Sequence, residues 1–213
     1  RATIGPLNTL MAGGNGGPRD ILGMGGRYSP DGKRILAMAD WTTAKIRTVA
    51  TGEERSLLIQ LPRLAHVEWN TNGSALLASG TANGGERGIF EVDIQTGMSK
   101  LLVAAEQPSL FAMSPDGGKL YFFKRSLLFV RDLVSGSERQ IPTTGIGGGT
   151  LPWQLQLSPD GQRLACYQQG TAWITDVSTG KTDIKYAGED GEFRGISWAS
   201  QPKAWERLAG LPN

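Results

Sequence analysis

The chemistry-bearing side chains of this 213-residue chain include one histidine, one cysteine and 20 carboxylates. Nucleophilic hydrolysis needs a serine or cysteine beside a base that an acid orients. His66 is the sole imidazole, and no Gly-x-Ser-x-Gly elbow occurs. His66 lies in Leu64-Ala65-His66-Val67-Glu68-Trp69, in phase with Glu68 and out of phase with Val67 and Trp69. It reads as a strand histidine hydrogen-bonded near a central channel, with a functional ligand contact as the alternative, and a histidine metal site lacks partners. Cys166 falls on the inward phase of a strand as a core thiol, and one cysteine excludes an internal disulfide. Carboxylates are the remaining acid/base or Ca²⁺-binding candidates. Asp31, Asp116 and Asp160 sit in turns, whereas Asp93, Asp132 and Asp176 recur at a fixed offset from a second turn. Such repetition argues for a repeated hydrogen bond to turn amides, because a catalytic residue has no reason to occur three times. Glycine runs at 13–17, 23–26 and 145–149 resemble phosphate loops only in composition. None is followed by a Lys-Ser/Thr pair, so they read as inter-blade loops and no cofactor is expected.

Those residues must be positioned by many short elements. Thirty glycines and eleven prolines imply tight turns, and 39% hydrophobic residues exclude disorder. The net charge of +2 comes from 22 basic and 20 acidic residues spread through the chain, which is no nucleic-acid footprint. No run approaches the roughly 20 apolar residues of a membrane-spanning helix. The first residues, Arg1-Ala2-Thr3-Ile4-Gly5, lack the apolar segment of a signal peptide. A start at arginine leads to the expectation of an excised or processed piece.

Tyr28-Ser29-Pro30-Asp31-Gly32-Lys33, Trp69-Asn70-Thr71-Asn72-Gly73-Ser74, Met113-Ser114-Pro115-Asp116-Gly117-Gly118 and Leu157-Ser158-Pro159-Asp160-Gly161-Gln162 are near-copies, with glycines 41, 44 and 44 residues apart. A period of about 40–45 residues marks a β-propeller. Proline presets the first corner of a type I turn, aspartate suits the second, and glycine takes the left-handed position that follows. Apolar residues alternate on both sides, as in Val67 and Trp69 before the turn and Leu120 and Phe122 after it, which predicts two strands with one face of the second buried. Thr51-Gly52, Thr96-Gly97, Ser135-Gly136 and Thr179-Gly180 then mark a third strand turning into a fourth.

The fold class expected is therefore all-β, a propeller of four-stranded antiparallel blades forming a single domain over residues 1–213. Blades fall at about 21–60, 61–105, 106–145 and 146–190. A decayed unit at 191–213, around Gly195-Ile196-Ser197-Trp198-Ala199, is completed or flanked by 1–20. Two arrangements stay open: a ring of about five blades closed by the two ends, or part of a six- to eight-bladed ring.

Tyr28-Ser29-Pro30-Asp31-Gly32-Lys33-Arg34-Ile35-Leu36-Ala37, with its counterparts at 114–122 and 158–165, resembles the repeat of TolB-type, WD-repeat-like β-propellers. The resemblance covers about residues 21–199 and departs at Thr71-Asn72-Gly73 and in the decayed unit. It implies bacterial relatives of three kinds: periplasmic translocation components, gating domains of prolyl-oligopeptidase-like peptidases, and sensor halves of kinases and transcription regulators. A periplasmic or extracytoplasmic location is implied by this resemblance alone.

Up-and-down strands place both turn sets at one end of the blades, which reads as scaffold: Pro30, Asp31, Gly32, Pro115, Asp116, Gly117, Pro159, Asp160 and Gly161 are structural turn residues. The opposite end carries the irregular connections: Asp40-Trp41-Thr42-Thr43, Ser79 to Gly88, Lys124-Arg125-Ser126, Gln168-Gln169-Gly170, and longer ones between blades. Binding residues concentrate on such loops. Trp41 and Trp153, beside Arg63, Lys124, Arg125 and Arg194, form a candidate partner-binding set; the alternatives are tryptophans packed on the next blade and ordinary solvated cations. The expected role is non-enzymatic, a sensor or adaptor module binding a protein or peptide through this end, without nucleic acid or membrane insertion. Two rival readings stay open: a propeller gating an absent hydrolase domain, and one binding carbohydrate or another small ligand in its central channel.

Overall fold

The structure is a computed structural model that describes residues 26–106, 110–143, 154–168 and 171–187. Its sixteen strands form four sheets. The first holds β1 (Arg27–Tyr28), β2 (Arg34–Met38), β3 (Thr43–Thr48) and β4 (Glu54–Leu58). The second holds β5 (Arg63–Trp69), β6 (Ala75–Thr81), β7 (Arg87–Asp93) and β8 (Ser99–Ala104). In the third are β9 (Phe111–Met113), β10 (Lys119–Lys124), β11 (Leu127–Asp132) and β12 (Glu138–Gln140). The fourth comprises β13 (Gln154–Leu157), β14 (Arg163–Gln168), β15 (Thr171–Asp176) and β16 (Thr182–Ala187). Every pairing is antiparallel between consecutive strands, and no helix occurs among the described residues. The chain is all-β, built of four-stranded propeller blades. The decayed unit, the amino-terminal strand and two of the three glycine runs lie outside the described residues.

Both predicted turns form as their residue types require. The Gly32 amide donates to the Ser29 carbonyl at 2.8 Å, closing the β-turn, and Gly32 adopts φ +70°. The same bond recurs from Gly73 to Asn70, Gly117 to Ser114 and Gly161 to Ser158. The second turn is one residue wider: the Gly97 amide reaches back four residues to the Asp93 carbonyl at 2.8 Å, with φ +73°. Bonds from Val49 to Lys33, Leu133 to Gly118 and Val177 to Gln162 tie the two turns of a sheet side by side.

The core lies between sheets. Leu36, Met38 and Ile46 meet Leu76, Ala78 and Phe90 across the first interface. Leu77, Ile89 and Val103 meet Phe111, Leu120 and Phe122 across the second. Tyr121, Phe123 and Leu128 meet Leu155, Leu164 and Cys166 across the third. This corrects the expectation of one buried face per second strand. A sheet between two others is covered on both sides, so Ala75 through Gly80 are all buried, as are Leu120 through Phe123. In β2 the buried residues are Leu36 and Met38, whereas Ile35 and Ala37, in the predicted phase, are half-exposed. Each fully buried leucine or phenylalanine contributes about 1.5–3 kcal/mol.

The turn tips also fit one another. A β-carbon at Gly161 would stand 3.1 Å from Pro115 Cδ, and one at Gly73 would stand 3.4 Å from Pro30 Cδ. Thr71, which replaces the proline in the second sheet, occupies the same place against Gly117.

Candidate functional site

At the turn end, side chains complete the backbone geometry. The Ser29 hydroxyl donates to Asp31 Oδ1 at 2.6 Å while its oxygen accepts the Arg34 amide at 2.9 Å. Asp31 Oδ1 also accepts the Lys33 amide at 3.0 Å. Ser114 with Asp116, and Ser158 with Asp160, repeat the arrangement. In the second sheet Asn70 and Asn72 substitute, accepting the amides of Ala75 and Ser74. The serine hydroxyl, foremost, and the turn amide hold Asp31, Asp116 and Asp160 below the usual carboxylate range.

Asp93, Asp132 and Asp176 do what their fixed offset implied. Asp93 Oδ1 accepts the amides of Gln95 and Thr96 at 2.9 and 2.8 Å, and the Thr96 hydroxyl at 2.9 Å. Asp132 and Asp176 make the equivalent sets with Val134 and Ser135, and with Ser178 and Thr179. Led by the Ser178 hydroxyl, these donors depress the Asp176 carboxyl to about 2. Such carboxylates are committed to turn structure.

The opposite end carries Trp41, Arg63, Lys124 and Arg125, each at or beside the far end of a strand. Trp41 is 41% exposed. It is displayed by a tight turn in which Asp40 Oδ1 accepts the Thr42 and Thr43 amides at 2.8 and 2.7 Å. Those amides, Thr42 first, hold the Asp40 carboxyl below its ordinary value. Arg63 is exposed and forms no ion pair among the described residues. Lys124 is 3.2 Å from Glu138 and stands over the Phe129 ring, while Arg125 grips Glu106 through two hydrogen bonds. Both of these cations thus have intramolecular partners, which sequence spacing did not show. Trp153 and Arg194 lie outside the described residues.

Two connections are tighter than expected. In Lys124-Arg125-Ser126, Lys124 pairs with Leu127 and the hairpin turn is only Arg125-Ser126, with φ of 50° and 61°. The segment from Ser79 to Gly88 is mostly strand, leaving a loop of 82–86. Gly80 and Gly88 are register partners, and a β-carbon on either would strike a backbone carbonyl, of Arg63 and Val103 respectively. These glycines serve close packing within the sheet.

His66 is 6% exposed, edge-on to the Phe111 ring of the next sheet with centroids 5.1 Å apart. Its Nε2 lies 3.6 Å from Glu68 Oε2, which also receives Arg27 Nη1 at 3.2 Å from the first sheet. Arg27 is a partner that lay 41 residues away and carried no sequence signal. Cys166 is fully buried, and burial pushes its thiol up to about 12. No three of the described His, Cys, Asp and Glu residues are grouped to hold a metal ion.

Clefts open between sheets at the turn end. One of about 460 Å³ between the second and third sheets is lined by Asn70, Asn72, Ser74, Glu91, Met113 and Asp116, among others. The next, of about 350 Å³ between the third and fourth, is lined by Lys119, Tyr121, Asp132, Glu138 and Arg139, among others.

No protein-family model matches the chain, and no curated protein matches it. Among solved structures the chain is similar to TolB from Acinetobacter baumannii, with a TM-score of 0.59 and 19% identity over 77% of this chain and 43% of that one. A TolB-type protein from Agrobacterium tumefaciens gives 0.57 and 18%, over 75% of this chain and 60% of that one. Hydrazine synthase from Kuenenia stuttgartiensis gives 0.57 and 18%, over 78% and 49%. The chain thus spans about half the length of these structures. The likeness is one of fold: the first two of these neighbours are TolB-type β-propeller proteins.

Proposed function

We propose that this propeller is a non-enzymatic binding module, a sensor or adaptor part of a larger bacterial protein, that recognises a protein or peptide through its loop end. The observation that carries the reading is Trp41, a large aromatic side chain left 41% exposed on a turn that Asp40 rigidifies. Rigid exposed tryptophans make good interface anchors because their burial gains much area at little entropy. Arg63 supplies at the same end a cation without an ion pair among the described residues, and Lys124 and Arg125 contribute by exchanging their carboxylate partners for those of the ligand. The proposed partner-binding set also includes Trp153 and Arg194, which lie outside the described residues. A TolB-like extracytoplasmic setting belongs to this proposal.

The test compares partner recovery from the source cell by the parent protein, by Trp41→Ala, and by the combined Arg63→Ala, Arg125→Ala and Arg194→Ala variant. Loss of the partner in both variants, with unchanged recovery in a turn-end variant such as Lys33→Ala, is expected. Undiminished recovery in both loop-end variants would refute the assignment of this face. A nucleophile-elbow hydrolase domain in the parent gene would transfer the reading to substrate gating.

A further inference from the structure

The repeat provides an internal comparison of the two inter-sheet clefts. In the third and fourth sheets, Arg139 of β12 donates through Nη2 to the Val177 carbonyl at 3.1 Å. Leu133 occupies the place of Val177 in the preceding repeat, since both donate their amides to the tip of the first turn, at Gly118 and Gln162. There, however, the Leu133 carbonyl accepts no hydrogen bond among the described residues. The lining differs correspondingly. Val130, register partner of Arg139, is matched in the preceding repeat by Glu91, register partner of Lys100. Glu91 is half-buried and lines the larger cleft, and its carboxylate makes no ion pair or hydrogen bond among the described residues. Asp116 lines it too, with Oδ1 committed to Ser114 and Gly118. Among the described residues no lysine or arginine lines this cleft, whereas Lys119 and Arg139 line the smaller one; Lys100, exposed and in the place of Arg139, stands across from Glu91 but outside the lining.

From this juxtaposition we propose that the cleft between the second and third sheets receives an arginine side chain from a partner peptide. A planar guanidinium presents several donors in one plane, enough for the Glu91 carboxylate and the Leu133 carbonyl together. It reproduces between chains what Arg139 does within this one. The Asn70, Asn72 and Ser74 side chains supply polar walls, and Met113 and Leu102 give the arginine stem an apolar surface. A metal ion is the poorer occupant, since the described residues bring no three carboxylate, imidazole or thiolate ligands together. The cleft lies at the turn end, opposite Trp41, so this proposal and the loop-end reading fail or stand separately.

The test is a titration of the ¹⁵N-labelled chain with acetyl-Gly-Arg-Gly-amide, followed by amide shifts. The same tripeptide with citrulline and calcium chloride alone serve as separate arms. Saturable shifts at Ser74, Gly117 and Leu133 are expected, with the neutral citrulline peptide bound about fivefold more weakly or worse. Glu91→Gln, and Glu91→Val, which installs the residue of the next repeat, should each abolish that preference while leaving the remaining spectrum in place. Absence of shifts, equal affinity for the two peptides, or shifts confined to the Lys119–Arg139 cleft or the loop end would overturn the proposal. So would an unchanged preference in both variants, or the same shifts from calcium chloride alone.

Discussion

Gly97 and Gly32 share nearly one backbone conformation, φ +73° and +70°, but only Gly97 lies against another sheet. Nothing stands within 4 Å of a β-carbon built on Gly32, whereas one on Gly97 would collide with the Leu58 carbonyl. Alanine at Gly32 therefore suffers only the left-handed penalty of about 1–2 kcal/mol. That is partly offset by about 0.4–1 kcal/mol from the lost freedom of the unfolded glycine. The net is about 1 kcal/mol. Gly97→Ala carries the same penalty and must also push the second sheet's turn away from β4. This breaks the 3.2 Å bond from the Gln60 amide to the Gly97 carbonyl, worth about 1 kcal/mol. Overpacking against backbone adds about 1–3 kcal/mol. The difference between the two variants is then about 2–4 kcal/mol, or on the order of 4–16 °C in Tm at this chain length. Urea denaturation with a common m-value is the assay. Losses within about 0.5 kcal/mol of each other, inside the usual spread of surface substitutions, would refute the claim that inter-sheet contact decides the cost.

Acid should weaken the fold through its turn carboxylates. Their folded pKa values are depressed, so the stability they contribute is present above the ordinary aspartate value and drains as pH falls toward about 2, the value at Asp176. Thermal melts between pH 6 and pH 2 should therefore show a shallower loss in Asp176→Asn than in the parent protein, and parallel curves would count against this. Ser114→Ala removes from a buried serine, 5% exposed, the hydroxyl that donates to Asp116 and accepts the Lys119 amide, and should cost about 1–3 kcal/mol in urea unfolding. Lys119→Ala, which keeps that amide, should cost less; the reverse order would show the bridge unimportant. Cys166, fully buried with its thiol near 12, should resist a disulfide-exchange reagent at pH 8 until denaturant is added. Rapid labelling of the native chain would contradict that burial.

What could be read in the sequence was short-range chemistry. Pro30-Asp31-Gly32 and its copies specify a turn within a few residues, and Asp93, Asp132 and Asp176 bind amides only two and three positions ahead. Local rules therefore sufficed for the blade. The misreadings arose where the deciding partner is distant in sequence. Ile35 and Ala37 match the phase of Leu76 and Ala78, but burial depends on what lies across the interface. Gly80 and Gly88 fall in the segment from Ser79 to Gly88 expected as an irregular connection, although they answer to carbonyls on neighbouring strands. Arg125 and Ser126 enter the left-handed region without the glycine or asparagine that usually announces such a hairpin. At the loop end, the tie of Arg125 to Glu106 spans 19 residues and follows no helical or strand period.

The contacts of Pro30 with Gly73, Thr71 with Gly117 and Pro115 with Gly161 give the tetrapeptides of the second and third sheets two roles, as plug toward the following blade and as socket toward the preceding one. Because one copy carries both halves of the joint, excising or duplicating a whole period re-forms the same joint across the new junction. Blade number can thus change by unequal recombination without any new mating surface being invented. A cut that leaves a partial period would strand a plug without its socket.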